Sequence, residues 1–500
     1  MSKPRQRDHI PLLSKSRFLS GLQCLKRLYL ESYQSYLAAP ASVTERARME
    51  TGNRVEELAR QRYSDGFLVE HCDALPAAAK ETETILSRGN TGTLFQAGFL
   101  CDGVGVKTDI LTRGRGTSWD LIEVKSSSKV KDTERLPDLA IQLHVLRGAG
   151  MKIRKAQLMH LNSDYVFGGG EYDLEELFIV EDLTEDANDF QSEIPDALDE
   201  MKAVLRGRKA PDISVGKHCS SPDKCPFFDY CRDESIEYPV LELPRVRQEL
   251  LDRFEEAGIE EIKDIPQGFL GLSPLQERVR DVVASGKPFF DPQIRKELQK
   301  AVYPIRFLDF ETFAPALPLY SGTSPYQTIP FQWSDHIMGK NGTLEHREFL
   351  YDRSDDPRPA FIKSLLKVLG DKGSIVVYSP YEATILKALA RDSPRHEKNL
   401  LSLLERILDL LPLVRNNVYH PDFHGSFSIK AVLPALVPEM SYDGLRIQDG
   451  MHASVAYSEM AESETEPSRK AEIRKSLLKY CEMDTKAMVR LFETLIISSV

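Results

Sequence analysis

The stretch Ile305–Phe313, with the sequence IRFLDFETF, carries the pattern that decides the fold of the C-terminal part of the chain. Its first four residues have the mostly apolar composition of a buried strand and lead into Asp309 and Glu311. Because successive side chains of a strand point to opposite faces, these two acids share one face. Repulsion and desolvation make such a pair costly inside a protein, and a divalent cation with oxygen ligands relieves both. The stretch predicts a metal-binding strand; a strand end with two solvated acids is the alternative.

The length and composition of the chain fit a protein with two or three domains. Its 500 residues exceed the size at which one hydrophobic core usually keeps growing. The contents of 41% hydrophobic and 28% charged residues are typical of globular proteins. The sequence has no apolar run of the ~18 residues that a membrane helix needs, and the first residues, MSKPRQRDHI, lack the apolar segment of a secretion signal. We therefore expect a cytoplasmic protein without a membrane partner.

The net charge of −11 is unevenly distributed along the chain. Residues 171–200 hold 13 Asp or Glu and no Lys or Arg, which leaves the rest of the chain at +2. We interpret this acidic run as a solvated helical face. The first 27 residues hold seven Lys or Arg against the single Asp8. Since attraction to phosphate depends on local fields, the acidic net charge does not exclude a nucleic-acid partner.

Residues 94–161 predict three strands, a helix and a further strand. Asp109 lies in the second strand, and Glu123 and Lys125 alternate in the third, WDLIEVKSSS, so that they share a face. Gln142 lies on the helix. An Asp and a Glu can hold Mg²⁺, which stabilises charge on a phosphate and lowers the pKa of a bound water, and a neighbouring Lys can orient that water. The alternative is a surface hairpin with an exposed Glu–Lys ion pair.

The cysteines indicate a metal site rather than disulfides, since the chain is expected in the cytosol. The segment HCSSPDKCPFFDYC places Cys219, Cys225 and Cys231 with five residues between neighbours. Cys24, on a helix predicted over residues 16–31, is the candidate for the fourth ligand. Four thiolates suit zinc or an iron–sulfur cluster, and the spacing alone does not decide between them. Ordinary thiols are expected at Cys72, Cys101 and Cys481.

The C-terminal part of the chain, residues 301–500, is expected to form an α/β domain with further acids near Asp309 and Glu311. A helix beginning near residue 380 carries Glu382. A long helix predicted over residues 468–498 carries Tyr480 and Asp484 on one face. Four acids from these elements can converge on two metal ions that activate a water and stabilise the leaving oxygen of a phosphodiester, while the tyrosine orients the water.

The N-terminal motifs resemble those of the PD-(D/E)XK nucleases of the RecB type. The match comprises, in order, Gly52-x-x-x-Glu56, Asp109, Glu123-Val124-Lys125 and Gln142 in QLHVL. The resemblance implies that Asp109, Glu123 and the Val124 carbonyl bind metal. It also implies that Lys125 assists the nucleophilic water and that Gln142 positions Lys125 or the phosphate. At the position of Glu56 this family usually has a metal-ligating histidine, and the resemblance makes Glu56 a candidate catalytic residue.

Iron–sulfur members of the same nuclease group take one cysteine before the nuclease core and three after it. The resemblance therefore implies a [4Fe-4S] cluster bound by Cys24, Cys219, Cys225 and Cys231. The last three cysteines of those proteins are often spaced C-x2-C-x5-C. The first gap is longer here, which keeps zinc as the alternative.

The C-terminal motifs resemble those of the DnaQ-like (DEDDy) 3′-5′ exonucleases, which have an RNase H-like fold. Asp309 and Glu311 match the first motif as D-x-E, Glu382 matches the second, where aspartate is usual, and Tyr480-x-x-x-Asp484 matches the third. An additional candidate is Asp409, which matches the structural acid often found between the second and third motifs. His420, His424 and the segment GSFSIK are candidates for lining a substrate groove, with core or loop roles as the alternative.

The whole chain resembles a bacterial family that fuses a RecB-like nuclease with a cysteine cluster to a DnaQ-like domain. The resemblance implies an α/β protein with a PD-(D/E)XK domain over residues 1–235, a helical connector over 236–300 and an RNase H-like exonuclease domain over 301–500. The expected function is a Mg²⁺- or Mn²⁺-dependent DNA nuclease with two phosphodiesterase centres, one a 3′-5′ exonuclease, in DNA processing, repair or defence. Two alternatives are an RNA-processing exonuclease and a nucleic-acid-binding component with little turnover. The pathway and any protein partners stay open.

Overall fold

The structure is a computed structural model that describes residues 9–70, 74–89, 91–128 and 132–497. It is mixed α/β and divides into two compact units. The first unit contains the chain up to Arg232 together with Pro315–Gln327, and the second contains Asp233–Ala314 together with the chain from Thr328 onward. Cys72 and the basic residues before His9 lie outside the described residues.

The first unit is built on a seven-stranded mixed sheet. Its strands are β1 (Leu13–Ser14), β2 (Gly66–Leu68), β3 (Thr93–Cys101), β4 (Val104–Arg113), β5 (Trp119–Lys125), β6 (Ile153–Leu161) and β7 (Phe178–Asp182). The order is β2-β3-β4-β5-β6-β7, and β1 pairs with β4 in parallel. β4 runs antiparallel to β5, which runs parallel to β6. The three strands and the later strand predicted over residues 94–161 are confirmed as β3 to β6.

Helices cover both faces of this sheet, so neighbouring strand residues enter different cores. Leu121 packs in one core and Ile122 in the other, as the two-residue period of a strand requires. The core that contains Leu121 also holds side chains from the first two helices and from the helix that bears Gln142. The helices are α1 (Lys15–Gln23), α2 (Leu25–Tyr33), α3 (Val43–Arg60), α4 (Leu75–Ser87), α5 (Asp132–Gly148), α6 (Leu174–Leu177), α7 (Thr184–Asp189), α8 (Ile194–Arg206) and α9 (Phe228–Cys231).

Two expectations for the first unit are wrong in detail. The helix predicted over residues 16–31 is divided into α1 and α2 by Cys24, whose backbone is extended (φ −165°, ψ 122°). The acidic run of residues 171–200 is not one helical face, because Phe178–Asp182 forms β7 antiparallel to β6. Apolar residues within the run, including Phe178 and Leu198, pack in the cores and impose this arrangement.

A short segment from between two strands of the second unit completes the first unit. The backbone of Phe167 pairs with Thr323 (N···O 2.9 Å) and with Gly322 (O···N 2.7 Å). Ala316 joins the core cluster that contains Ile122. The Tyr326 hydroxyl donates a hydrogen bond to the Ser126 carbonyl (2.6 Å). The first unit is therefore assembled from two separate parts of the sequence.

The second unit contains a five-stranded mixed sheet with the order β11-β10-β9-β12-β13 and a two-stranded ribbon of β8 and β14. The strands are β8 (Phe289–Phe290), β9 (Ile305–Phe313), β10 (Ile329–Met338), β11 (Leu344–Leu350), β12 (Ile375–Val377), β13 (Ile407–Asp409) and β14 (Val418–Tyr419). β9 is antiparallel to β10 and parallel to β12. The stretch Ile305–Phe313 is thus the central strand of the five-stranded sheet.

The helices of residues 236–300 are part of the second unit's core. Leu250 and Phe254 pack in one cluster with Ile305 and Phe307 of β9. The opposite face of β9 contributes Leu308 to a second cluster. The helices of this unit are α10 (Gln248–Glu256), α11 (Pro274–Ser285), α12 (Gln293–Leu298), α13 (Arg358–Leu369), α14 (Tyr381–Asp392), α15 (Glu397–Leu404), α16 (Leu410–Asn417), α17 (Ile429–Leu436), α18 (Gly450–Ala461) and α19 (Pro467–Ile497).

Across the part of the chain that the structure describes, none of the helices combines the length and apolar composition needed to span a membrane.

Candidate active sites and cysteine cluster

The second unit brings together all of the acids predicted for its site. Asp309 and Glu311 point to the same face of β9, and one carboxylate oxygen of each lies within 4.8 Å of the other and of the Cys481 thiol. Glu382 stands in the first turn of α14, and Asp484 projects from the middle of α19. We call Asp309, Glu311, Glu382 and Asp484 the second centre.

Burial and mutual repulsion disfavour the charged carboxylates of the second centre. They raise the pKa values of Asp309 and Glu311 well above the ordinary range, with Asp484 as the main repelling charge on both. Burial raises the pKa of Glu382 to about 8 and that of Asp484 to about 6. Negative charge here is incompletely compensated by protein cations. Carboxylate oxygens whose negative charge lacks enough nearby protein cations fit one or two divalent cations such as Mg²⁺ or Mn²⁺.

Tyr480 lies beside the second centre with a cationic partner that the motif pattern did not identify. The Lys430 ammonium donates a hydrogen bond to the Tyr480 hydroxyl oxygen (3.0 Å) and another to the carbonyl of Gln448. Burial, followed by the charge of Asp484, raises the pKa of Tyr480, so its hydroxyl keeps its proton. Lys430 is the last residue of the segment GSFSIK, one of the candidates for lining a groove.

A second tyrosine and a cysteine also contact the acids. The Tyr442 hydroxyl donates to Asp484 Oδ1 (2.6 Å), which orients that carboxylate. The Cys481 thiol donates to Asp309 Oδ2 (3.2 Å). Cys481 is therefore a neighbour of the centre, rather than the ordinary thiol expected. Its position three residues before Asp484 was the available signal, since residues three apart lie on one face of a helix.

The additional candidates of the second unit have structural contacts. Asp409 caps α16 by accepting from the Leu411 N–H (2.9 Å), and its charge helps to raise the pKa of Glu382. His424 pairs with Glu242 (Nδ1···Oε2 2.8 Å). His420 accepts from the Asp422 N–H (3.2 Å) and caps a short turn. These contacts give both histidines the loop roles that were the alternative to lining a groove.

The first unit brings together Asp109, Glu123, Lys125 and Gln142. Asp109 on β4 accepts a hydrogen bond from the Val124 N–H (2.8 Å). Glu123 on β5 accepts from Lys125 at Oε1 (2.6 Å) and from Gln142 at Oε2 (2.8 Å). We call these four residues the first centre. Gln142 thus orients the carboxylate of Glu123, whereas the resemblance implied that it positions Lys125 or the phosphate.

Two further ionisable residues, which were not among the sequence candidates, contact the first centre. Lys15 on α1 donates to Glu123 Oε1 (2.7 Å) and pairs with Asp138 Oδ1 (3.1 Å). Asp138 on α5 also pairs with Lys125. Asp138 lies four residues before Gln142, so it could have been expected on the same helical face. Nothing in the sequence around Lys15 indicated a contact with a residue more than a hundred positions away.

The charges of the first centre are more nearly balanced than those of the second. Burial raises the pKa of Glu123, but Lys125 and Lys15 outweigh it and leave the pKa below the ordinary value. Burial and the charge of Glu123 raise the pKa of Asp109 well above its usual range. In the first centre one carboxyl therefore resists ionisation beside another that is ionised. A divalent cation bound by both would stabilise their charged forms.

Gln96 bridges Glu56 to the first centre, and the charge of Glu56 also helps to raise the pKa of Asp109. The Gln96 amide donates to Glu56 Oε1 (2.5 Å) and to Asp109 Oδ1 (3.5 Å). Gln96 has a positive φ of 54°, which is uncommon for a residue with a side chain. Phe95 and Ala97 of β3 are both paired with β4, and the regular pairing skips Gln96 between them. Gln96 was not among the sequence candidates.

The four predicted cluster cysteines line one small cavity of the first unit. Burial raises the pKa values of Cys219, Cys225 and Cys231, and the neighbouring thiols of the set raise them further. Four thiols at one place, of which those of Cys219 and Cys225 are buried, fit a metal ion or an iron–sulfur cluster, because thiolates are the ligands of both. The Gln23 amide donates to the carbonyls of His218 (2.5 Å) and Asp223 (2.7 Å), which holds α1 against the cysteine loop.

Comparisons with known proteins give little information on function. Residues 306–428 match a family model described as "Domain of unknown function (DUF2779)", a span that includes Asp309, Glu311, Glu382 and Asp409. No curated protein matches the chain. A solved structure titled "Crystal structure of SSO0001" matches 37% of this chain and 96% of its own, with 14% identity and a TM-score of 0.17. That score is too low to carry an argument about the fold, and so the site geometry carries the functional inference.

Proposed function

We propose that the protein is a metal-dependent nuclease with two phosphodiesterase centres, one in each unit. The observation that carries this proposal is the convergence of Asp309, Glu311, Glu382 and Asp484 on one buried place. Four carboxylates at one place, three of them buried and Asp309 half-buried, are costly to a fold unless cations compensate their charge. Carboxylate clusters with bound divalent cations are a recurrent solution for phosphodiester hydrolysis.

The residues of the second centre have separable roles in this proposal. Asp309, Glu311, Glu382 and Asp484 would hold Mg²⁺ or Mn²⁺, which supplies an activated water and stabilises charge on the leaving oxygen. The Tyr480 hydroxyl keeps its proton and donates a hydrogen bond that orients the attacking water. Lys430 fixes the Tyr480 hydroxyl and offers positive charge close to the scissile phosphate. This division of roles suits removal of nucleotides from a 3′ end, the activity that the motif resemblance implies.

The first centre supports hydrolysis through a different set of residues. Asp109, Glu123 and the Val124 carbonyl would hold the metal ion. Lys125 lies next to Glu123, where its ammonium can orient a water and neutralise a phosphate oxygen. Gln142 holds Glu123 in position. The RecB-like resemblance of these residues supports nuclease chemistry here as well, with the polarity of cutting left open.

The cysteine cavity has a structural role in this proposal. Cys24, Cys219, Cys225 and Cys231 would bind a [4Fe-4S] cluster or a zinc ion, and so join the start of the first unit to its end. Visible absorbance from thiolate–iron charge transfer and stoichiometric iron would identify the cluster. A colourless protein that loses one zinc per chain on Cys219→Ser would identify the alternative.

The nuclease proposal is tested with purified full chain, Mg²⁺ or Mn²⁺, and end-labelled oligonucleotides. Asp309→Ala isolates the first centre, and Lys125→Ala isolates the second. Loss of charge stabilisation worth several kcal/mol corresponds to a decrease of about 100-fold or more at the altered centre. Glu345→Gln, at an exposed acid of β11, is the matched control and should retain wild-type rates. Absence of metal-dependent cleavage by the wild type on every substrate would refute the proposal.

Substrates with a blocked 3′ or 5′ end resolve the polarity of each centre. We expect a 3′ block to stop the Lys125→Ala protein, in which only the second centre works. Matched DNA and RNA strands in the same assay separate DNA from RNA processing, because the two differ at the 2′-hydroxyl. Oligonucleotide binding that survives chelation, without cleavage, would instead identify a binding component.

A further inference from the structure

A second group of metal-ligand side chains lies in the second unit, apart from its carboxylates. It consists of His336 on β10, His346 on β11 and Glu482 on α19. One ring nitrogen of each histidine and one oxygen of Glu482 lie within 4.8 Å of one another. His336 and His346 are directly opposite in the antiparallel register, with ring centroids 4.5 Å apart.

Hydroxyl groups fix the orientation of both imidazole rings. His336 Nδ1 is hydrogen-bonded to Thr485 Oγ1 (2.8 Å), and His346 Nε2 to Ser334 Oγ (2.9 Å). The hydroxyls of Ser334 and Thr485 are also hydrogen-bonded to each other (2.8 Å). Each ring therefore keeps one nitrogen for a ligand, Nε2 in His336 and Nδ1 in His346. A hydrogen bond on the opposite ring nitrogen is the usual support of a metal-bound histidine.

The remaining atoms can close on a metal ion with small movements. His346 Nδ1 lies 3.9 Å from Glu482 Oε1. Bonds of about 2.0–2.1 Å in a tetrahedral zinc site place the ligand atoms about 3.3 Å apart. The Glu482 side chain is 48% exposed, so it is free to rotate inward, whereas His336 is buried. Burial lowers the pKa of His336 to about 4, which keeps the imidazole in the neutral form that binds metals.

We propose that His336, His346 and Glu482 form a site for Zn²⁺ or a similar transition-metal ion, distinct from the carboxylate centres. Two imidazoles and one carboxylate are a ligand set of zinc, and imidazole discriminates against the harder Mg²⁺. The side chains of His346 and Glu482 are partly exposed, so solvent can reach the group. Glu482 is two residues before Asp484 on the same helix, so a metal ion here would fix α19 against β10 and β11. The role is structural, and it stands whether or not the second centre hydrolyses a phosphodiester.

The test is the zinc content of metal-stripped full chain after equilibration with Zn²⁺ in excess Mg²⁺, which occupies the carboxylate centres. Wild type should hold one more zinc per chain than His346→Ala or Glu482→Gln. Cys219→Ser shows that the additional ion is not held by thiolates, since that variant should keep it. His396→Ala, at a histidine outside the group, is the matched control and should bind as wild type does.

Cobalt provides a spectroscopic version of the same test. The additional Co²⁺ should show d–d absorbance without the thiolate charge-transfer band, and it should be absent from Glu482→Gln. Glu482→Gln retains the shape of a half-exposed side chain, and its thermal unfolding without metal should match that of wild type. Zn²⁺ should then raise the unfolding temperature of wild type more than that of the variant. Equal zinc content and equal thermal shifts in wild type and both variants would overturn the proposal.

Discussion

Glu382 carries the clearest proton linkage of the second centre. Its Oε2 has no hydrogen-bond partner among the described residues, and burial raises its pKa from 4.5 to about 8. The folded state therefore keeps a proton that the unfolded chain loses above pH 4.5. The stabilisation from this proton is complete below pH 4.5 and is lost as the pH rises to about 8. We expect the free energy of unfolding of metal-free protein to fall across this range, and Mg²⁺ to restore stability at the upper end.

Denaturant unfolding at a series of pH values, in wild type and in Glu382→Gln, measures this linkage. Other titrating groups contribute to both proteins and largely cancel in the difference. The glutamine variant should show a shallower decline and should gain less from Mg²⁺. Parallel curves with equal Mg²⁺ effects would contradict the role given to Glu382.

Lys15 is the residue whose contribution to the first centre was least visible in the sequence. It contacts the same carboxylate oxygen of Glu123 as Lys125 does. Loss of a group that orients a metal ligand typically lowers metal affinity or activity by about 10–100-fold. In an Asp309→Ala background, Lys15→Met should lower the cleavage rate by about that factor. Lys152→Met removes an exposed lysine and is the control; equal rates for both variants would exclude a role for Lys15.

At the scale of elements, α1 links the cysteine cavity to the first centre. The helix begins with Lys15, at the carboxylates, and ends next to Cys24, which the extended backbone turns toward the other cysteines. Loss of the metal ion or cluster proposed at the cysteines should therefore loosen α1 and impair the first centre more than the second. We expect Cys24→Ser to destabilise the protein by several kcal/mol, since metal binding and folding are coupled.

Paired backgrounds separate this effect from general unfolding. At a temperature where the variant is folded by circular dichroism, Cys24→Ser should reduce the rate in an Asp309→Ala protein. The same change should leave the rate of a Lys125→Ala protein within about twofold, which corresponds to about 0.4 kcal/mol. Cys101→Ser, outside the cavity, is the matched control. Equal losses in the two backgrounds would contradict a specific link through α1.

The elements that follow a local pattern could be predicted from the sequence. Alternation placed Asp309 and Glu311 on one face of β9, and four-residue spacing placed Tyr480 and Asp484 on one face of α19. Contacts between distant segments could be predicted only where a motif resemblance supplied them, as for the acids and the cysteines; those of Lys15 and Lys430 could not. The helix break at Cys24 depends on packing against a loop two hundred residues later.

At the scale of the whole molecule, the chain returns to the first unit after leaving it. Residues 315–327 add Ala316 to its core and bond to the backbone of Phe167. A fragment that ends at Arg232 lacks these contacts. We expect it to be roughly 2–4 kcal/mol less stable than the same fragment joined by a flexible linker to residues 315–327. Denaturant unfolding compares the two, and equal stability would show that the segment is dispensable.

The central claim is that the buried carboxylates of both units hydrolyse phosphodiester bonds. The most direct measurement is the rate of Mg²⁺-dependent nucleotide release from end-labelled DNA by wild type, Asp309→Ala, Lys125→Ala and the double variant. We expect each single variant to keep the activity of one centre, and the double variant to lose at least about 100-fold in total rate. A folded double variant that degrades DNA as fast as wild type would contradict the assignment of both centres.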